Sequence, residues 1–159
     1  DNYTKAIQIN PKSATRYIAL ADEFYRRSDF QSAIDNYTKA IEFDPNSEHA
    51  SSFRAYSQSK IGNYKEALDD FNTAINLNPN NSVLYADRAL TKSELGDLKS
   101  AYNDYCKAIE INPTSAEIYY NRAIVNWNLG DKDFACQDWK KAETLGHEDA
   151  SELFAKNCI

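Results

Sequence analysis

The side chains that most often carry chemistry are few and scattered in this chain. It has two histidines, His49 and His147, in distant parts of the sequence, and three cysteines without CxxC spacing. Its four glycines are isolated from one another, so no glycine-rich phosphate loop is present. These patterns indicate no catalytic centre, no metal site and no cofactor. We therefore expect a protein that is not an enzyme.

Arginine and aspartate recur in register, and their spacing predicts ion pairs. The predicted pairs are Arg54–Asp70, Arg88–Asp104 and Arg122–Asp138. At the equivalent positions near the start, the chain has Leu20 and Asn36, so both columns change together. Removing one partner of a buried pair would leave an uncompensated charge. The joint change therefore favours structural pairs over an anion receptor.

The elements that would position these pairs repeat with a fixed period. Each repeat closes on a similar phrase, such as DNYTKAIEFDP or NDYCKAIEINP, and the closing prolines recur every 34 residues at Pro11, Pro45, Pro79 and Pro113. Proline ends a helix, and a residue type that caps the next helix follows at Ser13, Ser47, Asn81 and Ser115. A Gly-Asp, Gly-Asn or Ser-Asp break separates two runs with helical periodicity. Each interval therefore predicts helix, tight turn, helix and a proline-marked turn.

Small and large apolar residues form columns that suit helix packing. The first predicted helices share alanines at Ala21, Ala55, Ala89 and Ala123. The second predicted helices share alanines at Ala33, Ala67, Ala101 and Ala135. The second helices also share rings at Tyr37, Phe71, Tyr105 and Trp139. We expect these columns to form the buried core.

On these proline, alanine and aromatic columns, the chain resembles the tetratricopeptide repeat (TPR) family. The resemblance implies an all-α fold, a right-handed α-solenoid also described as an alpha-alpha superhelix. It implies four full repeats with the ranges 14–47, 48–81, 82–115 and 116–149. Residues 1–13 resemble the second helix of a truncated repeat, and a capping helix starts near residue 148, with 150–159 as its C-terminal part. Ser28 in place of the turn glycine, and Ser51 in place of an aromatic residue, depart from the pattern.

The last repeat and the capping helix bring two cysteines into consideration as a pair. Cys136 begins the second helix of the last repeat, and Cys158 ends the capping helix. Antiparallel packing of these helices would bring both residues together, and a disulfide would then stabilise the end of the array in an oxidising compartment. The alternative is two buried thiols that act as small apolar residues. Cys106 is expected to be a partly exposed thiol on a second helix.

The resemblance also implies a concave surface lined by the first helix of each repeat. The positions predicted to form this peptide-binding groove are Asp22, Tyr25, Phe53, Tyr56, Lys60, Asp87, Leu90, Tyr120, Asn121, Ile124 and Trp127. Aromatic residues are over-represented among them for a face open to water, and exposed apolar surface commonly marks an interaction site. The alternative is that these rings cover the seams between repeats.

We therefore expect a non-enzymatic protein-protein interaction scaffold that binds a peptide or a protein surface in this groove. The net charge of −6 argues against nucleic acid and favours a basic or neutral protein or peptide as the partner. Family members that bind chaperone tails use a Lys/Asn/Arg clamp, whereas the matching positions here include Asp22, Asp87 and Glu117 and lack the required Lys and Arg. Two alternatives stay open: a structural spacer or self-assembly module, and a regulatory arm of a larger enzyme or receptor.

The start of the chain carries an expectation of its own. The chain has no methionine and begins in mid-repeat, which we interpret as a segment of a longer protein. The truncated repeat lacks the first helix that would cover its second helix, which leaves an apolar face bare, so we expect end-to-end self-association through this truncated N-terminal helix. No apolar run is long enough for a membrane span. We expect a soluble chain in the cytoplasm or in an oxidising compartment.

Overall fold

The computed structural model describes residues 13–158, and within that range the chain is helical and has no strand. The helices of this range are α1 (Ala14–Arg26), α2 (Phe30–Phe43), α3 (Glu48–Lys60), α4 (Tyr64–Leu77), α5 (Ser82–Glu94), α6 (Leu98–Ile111), α7 (Ala116–Leu129), α8 (Lys132–Thr144) and α9 (Glu148–Asn157). The prediction of an all-α fold is confirmed. The predicted truncated repeat, and the self-association assigned to it, fall on residues 1–12 and lie outside the described residues. No described helix is both long and apolar enough to cross a lipid bilayer.

The chain divides into two compact units, residues 1–79 (unit 1) and residues 80–159 (unit 2). In unit 1, α1 packs on α2, α2 on α3, and α3 on α4. In unit 2, α5 packs on α6, α6 on α7, α7 on α8, and α8 on α9. Within each unit, every helix therefore contacts its neighbours in sequence, as expected for stacked helix pairs.

Tight turns join the two helices of each pair, and each turn needs one residue with a left-handed backbone. In the second pair this residue is Gly62, with φ of 83°. In the first pair it is Ser28, with φ of 60°. A Cβ added at Gly62 would meet no atom within 4 Å, so the backbone conformation and not a lack of space favours glycine there. The serine turn is therefore the strained one.

The residues predicted to cap the first helices do so in two of the four cases. Ser47 Oγ accepts a hydrogen bond from the backbone N–H of Ala50 at 3.2 Å. Asn81 Oδ1 accepts one from the backbone N–H of Val83 at 3.1 Å, at the start of α5. Ser13 and Ser115 stand at the N-cap positions of α1 and α7 but make no side-chain cap bond. The sequence pattern thus locates helix starts correctly even where the cap bond is absent.

The predicted alanine and ring columns form the core, which confirms that prediction. The alanines of both columns have no exposed surface. The rings of Tyr37, Phe71, Tyr105 and Trp139 are at most 2% exposed. Because alanine lets the paired helices approach closely, a large ring from the second helix can fill the remaining space.

Helix α9 covers the end of unit 2. Its Ala150 is fully buried, and Leu153 and Phe154 pack against the cluster of buried residues around Trp139. Cys136 and Cys158 form a disulfide with their Cα atoms 5.7 Å apart, which links α8 to the residue that follows α9. Of the two alternatives for these cysteines, the structure has the disulfide.

Candidate functional site

The Arg–Asp pairs lie inside helix pairs, where a ligand cannot reach the carboxylates. Arg88 Nε and Nη2 donate to the two oxygens of Asp104 at 2.8 and 2.7 Å. The same bidentate geometry occurs in the pairs Arg54–Asp70 and Arg122–Asp138. All three aspartates are buried. These pairs therefore connect the first helix to the second helix of a repeat and are not part of a binding surface.

In unit 1, the rings predicted to line the groove pack on one another. The rings of Tyr25 and Phe53 meet edge to face at 5.3 Å between centroids, and those of Phe53 and Tyr56 lie 5.8 Å apart. Tyr56 also meets the buried ring of Phe71. All three predicted groove rings are half-buried, whereas Lys60 is exposed at the end of α3. The geometry supports the alternative interpretation here, in which rings cover the seam between α1 and α3.

Asp22 joins three elements of unit 1 through hydrogen bonds. Its Oδ1 accepts from the Tyr37 hydroxyl at 2.5 Å and lies 2.9 Å from His49 Nε2. The His49 ring stacks on Phe53 with centroids 4.3 Å apart. Burial, and then the hydrogen bond to Asp22, raise the pKa of Tyr37, so its hydroxyl stays protonated and donates. We call the residues Asp22, His49 and Phe53 the α1/α3 network.

In unit 2, three predicted groove residues support the end of the unit. The Tyr120 ring stacks on the His147 ring at 4.1 Å between centroids. Trp127 lies against Trp139 at 5.4 Å, and Ile124 packs on the same buried cluster. All three side chains are half-buried. The rings of Tyr120 and Trp127 are therefore engaged in packing, which leaves less open aromatic surface than the sequence suggests.

The other three predicted residues of unit 2 lie together at an open pocket between α5 and α7. The pocket has a volume of about 200 Å³, and Asp87, Leu90 and Asn121 line it. Its other lining residues are Ser82, Val83, Ala86, Asn112, Ser115, Glu117 and Ile118. Val83 is 53% exposed and Leu90 is 48% exposed. Aliphatic surface therefore faces solvent at this place, which we call the α5/α7 pocket.

Sequence analysis does not include Val83, Glu117 and Ile118 in the groove, although all three line this pocket. A signal for Val83 exists in the repeat columns. The equivalent positions of the other repeats hold Thr15, His49 and Glu117, which are polar. An apolar residue among polar equivalents on the first turn of a helix indicates a local surface feature. The alanine and ring columns carry no such information about the surface.

Carboxylates give the α5/α7 pocket a negative potential. Asp87 and Glu117 are its charged lining residues, and its described lining contains no Lys or Arg. Burial raises the pKa of the Tyr105 phenol, and the negative charges of Asp87, Glu117 and Glu94 raise it further. The pKa of Tyr120 is likewise raised by burial and by carboxylates that include Glu117. A cationic group is therefore favoured at this pocket.

Glu117 is held in place at the rim of the pocket. The side-chain amide of Asn121 donates to Glu117 Oε1 at 3.0 Å, and His147 Nε2 lies 3.1 Å from Glu117 Oε2. The Glu117 side chain nevertheless remains 69% exposed. Its carboxylate is therefore oriented by the protein and still open to a partner.

Histidine and cysteine side chains make structural contacts in the described part of the chain. His49 and His147 each lie against a carboxylate, Asp22 and Glu117. Cys106 is free and half-buried, and Arg122 Nη1 donates to its sulfur at 3.3 Å. Among residues 13–158, no group of three or more His, Cys, Asp or Glu side chains is placed to hold a metal ion.

Comparison with protein families assigns these helix pairs to a known class. Family models for the tetratricopeptide repeat match residues 14–47 and 50–81, and a further TPR repeat model matches residues 89–130. The chain belongs to the tetratricopeptide repeat family. Repeats of this family are generally non-catalytic modules that bind proteins or peptides, so the protein is an interaction scaffold in this general sense. No curated protein sequence matches the chain significantly.

Solved structures show the same fold at low sequence identity. MamA is 23% identical with a TM-score of 0.88, and the match covers 94% of this chain and 87% of MamA. PilF of Pseudomonas aeruginosa is 21% identical with a TM-score of 0.83, covering 95% and 69%. The first TPR of Spaghetti (RPAP3), bound to the HSP90 peptide SRMEEVD, is 24% identical with a TM-score of 0.72, covering 74% and 94%. The predicted α-solenoid is confirmed.

Proposed function

We propose that this chain is a non-enzymatic scaffold that docks a peptide or an extended protein segment on the first helices of unit 2, with the α5/α7 pocket as the anchor site. The observation that carries the proposal is the pair of aliphatic side chains Val83 and Leu90, each about half exposed at an open pocket. Exposed apolar surface in a concave site is typical of a place that a partner covers.

The size of the pocket favours a side chain over a small-molecule ligand. Pockets for drug-sized ligands and cofactors have volumes of about 300–1,000 Å³, whereas this pocket measures about 200 Å³. An aliphatic side chain that enters it would contact Val83, Leu90 and Ile118 and would leave water. Burying such a side chain stabilises a complex by about 1.5–3 kcal/mol before the entropy of association is subtracted.

The charge of the pocket distinguishes this proposal from recognition of a chaperone tail. The RPAP3 structure contains the HSP90 peptide SRMEEVD, which has an acidic end. Here Asp87 and Glu117 line the pocket and would repel such a peptide. The unit 1 part of the predicted groove stays a prediction, because the rings of Tyr25, Phe53 and Tyr56 are engaged in packing. The same holds for Asp22 and Lys60, which belong to that part of the groove.

A peptide-display selection tests the docking function. The purified chain is used to select binders from a random peptide library, and the enriched peptides are measured against variants by fluorescence polarisation. We expect Val83→Ser and Leu90→Ser each to weaken binding, because each removes apolar contact from the pocket. Leu95→Ser is the matched control, since Leu95 is 43% exposed just after α5 and does not line the pocket. Melting curves verify that each variant folds.

The docking function is contradicted by two results. One is a selection that enriches no peptide for the folded chain. The other is a set of enriched peptides that bind the Val83 and Leu90 variants as well as they bind the original chain.

A further inference from the structure

We infer that the occupant of the α5/α7 pocket is a segment in which an aliphatic side chain stands next to a lysine or arginine. The aliphatic side chain would lie against Val83, Leu90 and Ile118, and the basic side chain would reach the carboxylate of Glu117. This inference rests on the proposed docking function and adds the chemistry of the partner to it.

The first argument is the division of the pocket into an apolar part and an acidic part. Val83, Ala86, Leu90 and Ile118 supply aliphatic surface, whereas the charged lining residues are Asp87 and Glu117. A purely apolar partner would remove water from the exposed Glu117 carboxylate without bringing a positive charge to it, and desolvating a charge is costly. A partner with a cationic group adjacent to its apolar side chain satisfies both parts at once.

The second argument is the orientation of Glu117. Asn121 binds one of its oxygens at 3.0 Å and His147 lies 3.1 Å from the other, yet the side chain is 69% exposed. A carboxylate has about four acceptor positions, so it can take further hydrogen bonds from a cationic group. Because the protein already orients this carboxylate, less side-chain entropy is lost when a partner binds.

The third argument comes from the equivalent residues of unit 1, which show this kind of pairing within the chain. His49 and Phe53 occupy the repeat positions of Glu117 and Asn121, and Asp22 occupies that of Leu90. There the imidazole lies 2.9 Å from the Asp22 carboxylate while the adjacent Phe53 ring packs on Tyr25. The repeat backbone therefore accommodates a nitrogen-bearing side chain that contacts a carboxylate, with an apolar side chain next to it.

The test uses the full chain and a matched set of short capped peptides rich in glycine and serine. The central residue is leucine or alanine, and the flanking residues are lysine or glutamate. Methyl NMR of Val83, Leu90 and Ile118 reports binding at the pocket, and the methyl signals of Leu77 and Leu95 report non-specific contact. We expect the leucine–lysine peptide to bind best. Replacing its lysine with glutamate should weaken binding about tenfold, and replacing its leucine with alanine should have a similar effect.

A variant separates the two parts of the inference. Glu117→Gln removes the charge and should abolish the preference for lysine over glutamate, while the preference for leucine over alanine remains. Glu110→Gln is the control, because Glu110 is exposed on α6 and does not line the pocket. The lysine-dependent part of binding should also weaken in salt, since exposed charges are screened beyond about 10 Å at 0.1 M.

The outcomes distinguish this inference from the docking function on which it rests. A leucine–glutamate peptide that binds as tightly as the leucine–lysine peptide overturns the partner chemistry and leaves docking intact. Equal binding of the alanine–lysine and leucine–lysine peptides overturns the apolar part. If no peptide shifts the methyl signals of Val83, Leu90 or Ile118, and the display selection also enriches nothing, both the inference and the docking function fail.

Discussion

The two units use equivalent first-helix positions in different ways. In unit 1, His49 and Phe53 stack on each other, and His49 lies against Asp22, so side chains of the chain itself join α1 to α3. In unit 2, the residues at the positions of His49 and Phe53 are Glu117 and Asn121, and an open pocket lies between α5 and α7. The helices and turns of the two units are alike. The side chains at a few surface positions therefore decide whether this space is used for packing or is open to a partner.

The difference shows why a repeat array can carry specificity without a change of fold. The alanine and ring columns are buried to the same extent in both units, so the packing of each helix pair is maintained. The first-helix positions of Glu117 and Leu90 contribute little to that core, and from unit 1 to unit 2 they change from ring to carboxylate and from aspartate to leucine. Surface chemistry can therefore vary from repeat to repeat while stability stays with the buried columns.

The largest effect is expected for the buried Arg–Asp ion pairs. Both repeats of unit 2 have such a pair, whereas the first helix pair of unit 1 has Leu20 and Asn36 at the equivalent positions. Arg122→Ala leaves the buried Asp138 without its cationic partner, with the Asn126 amide still donating to it, and should lower the free energy of unfolding by about 3–5 kcal/mol. The double variant Arg122→Leu/Asp138→Asn copies Leu20 and Asn36 of the first pair and should recover most of this loss. Urea unfolding measures both. A single variant as stable as the original chain, or a double variant no better than the single, would contradict the structural role of the pair.

The second largest effect is expected for the disulfide, which is present only in unit 2 of the described chain and links α8 to the residue that follows α9. The bond joins residues that are 22 positions apart, and a crosslink of this length stabilises a protein by about 3 kcal/mol. Replacing Cys136 and Cys158 with serine should lower the free energy of unfolding by that amount and should increase hydrogen exchange first in α9. Cys106→Ser is the control and should have a smaller effect. Unchanged exchange in α9 would show that packing of Ala150, Leu153 and Phe154 alone retains the helix.

Transfer of the unit 1 residues into unit 2 tests the comparison directly. Glu117→His combined with Asn121→Phe places the imidazole and ring of unit 1 at the α5/α7 pocket. We expect the pocket to close and the selected peptides to bind about thirtyfold more weakly, which corresponds to about 2 kcal/mol. Fluorescence polarisation measures the affinity, and a melting curve verifies the fold. Undiminished binding by a folded double variant would show that the peptides dock elsewhere.

The smallest expected effect concerns the turn of the first helix pair. Ser28 has a left-handed backbone at φ 60°, where the turns of unit 2 have glycine. Ser28→Gly should raise the free energy of unfolding by about 1 kcal/mol, because a side chain in this region is strained. Gly62→Ser is the reciprocal variant and should lower it by a similar amount. Thermal unfolding checks both, and a Ser28→Gly variant that is less stable than the original chain would mean that another contact of Ser28 outweighs the strain.

Much of the fold follows from the sequence because the repeat makes each feature visible several times. The helix starts after Pro45, Pro79 and Pro113, and the turns at Gly62 and Gly96, lie where the period predicts them. The family is also evident from the same columns. Local signals of this kind depend on backbone conformation and helical periodicity, which are properties of short segments.

The site was less predictable, because exposure on a first helix depends on residues of the neighbouring repeat. Tyr25 and Trp127 are both predicted to line the open groove. Phe53 of the neighbouring repeat covers part of the Tyr25 ring, and Trp139 of the partner helix covers part of the Trp127 ring. Conversely, Val83 is marked in the sequence only by its polar equivalents in the other repeats, and it lies at an open pocket because α7 presents Glu117 and Asn121 beside it and no ring.

The sequence by itself determined the period, the helix pairs, the buried columns and the likeness to tetratricopeptide repeats, since each of these depends on residue types at regular intervals. Only the tertiary structure decided which first-helix residues remain open. That outcome depends on how side chains from the first helices of two neighbouring repeats share one space. In unit 1, His49 and Phe53 occupy such a space, and in unit 2 the equivalent Glu117 and Asn121 leave it to a partner.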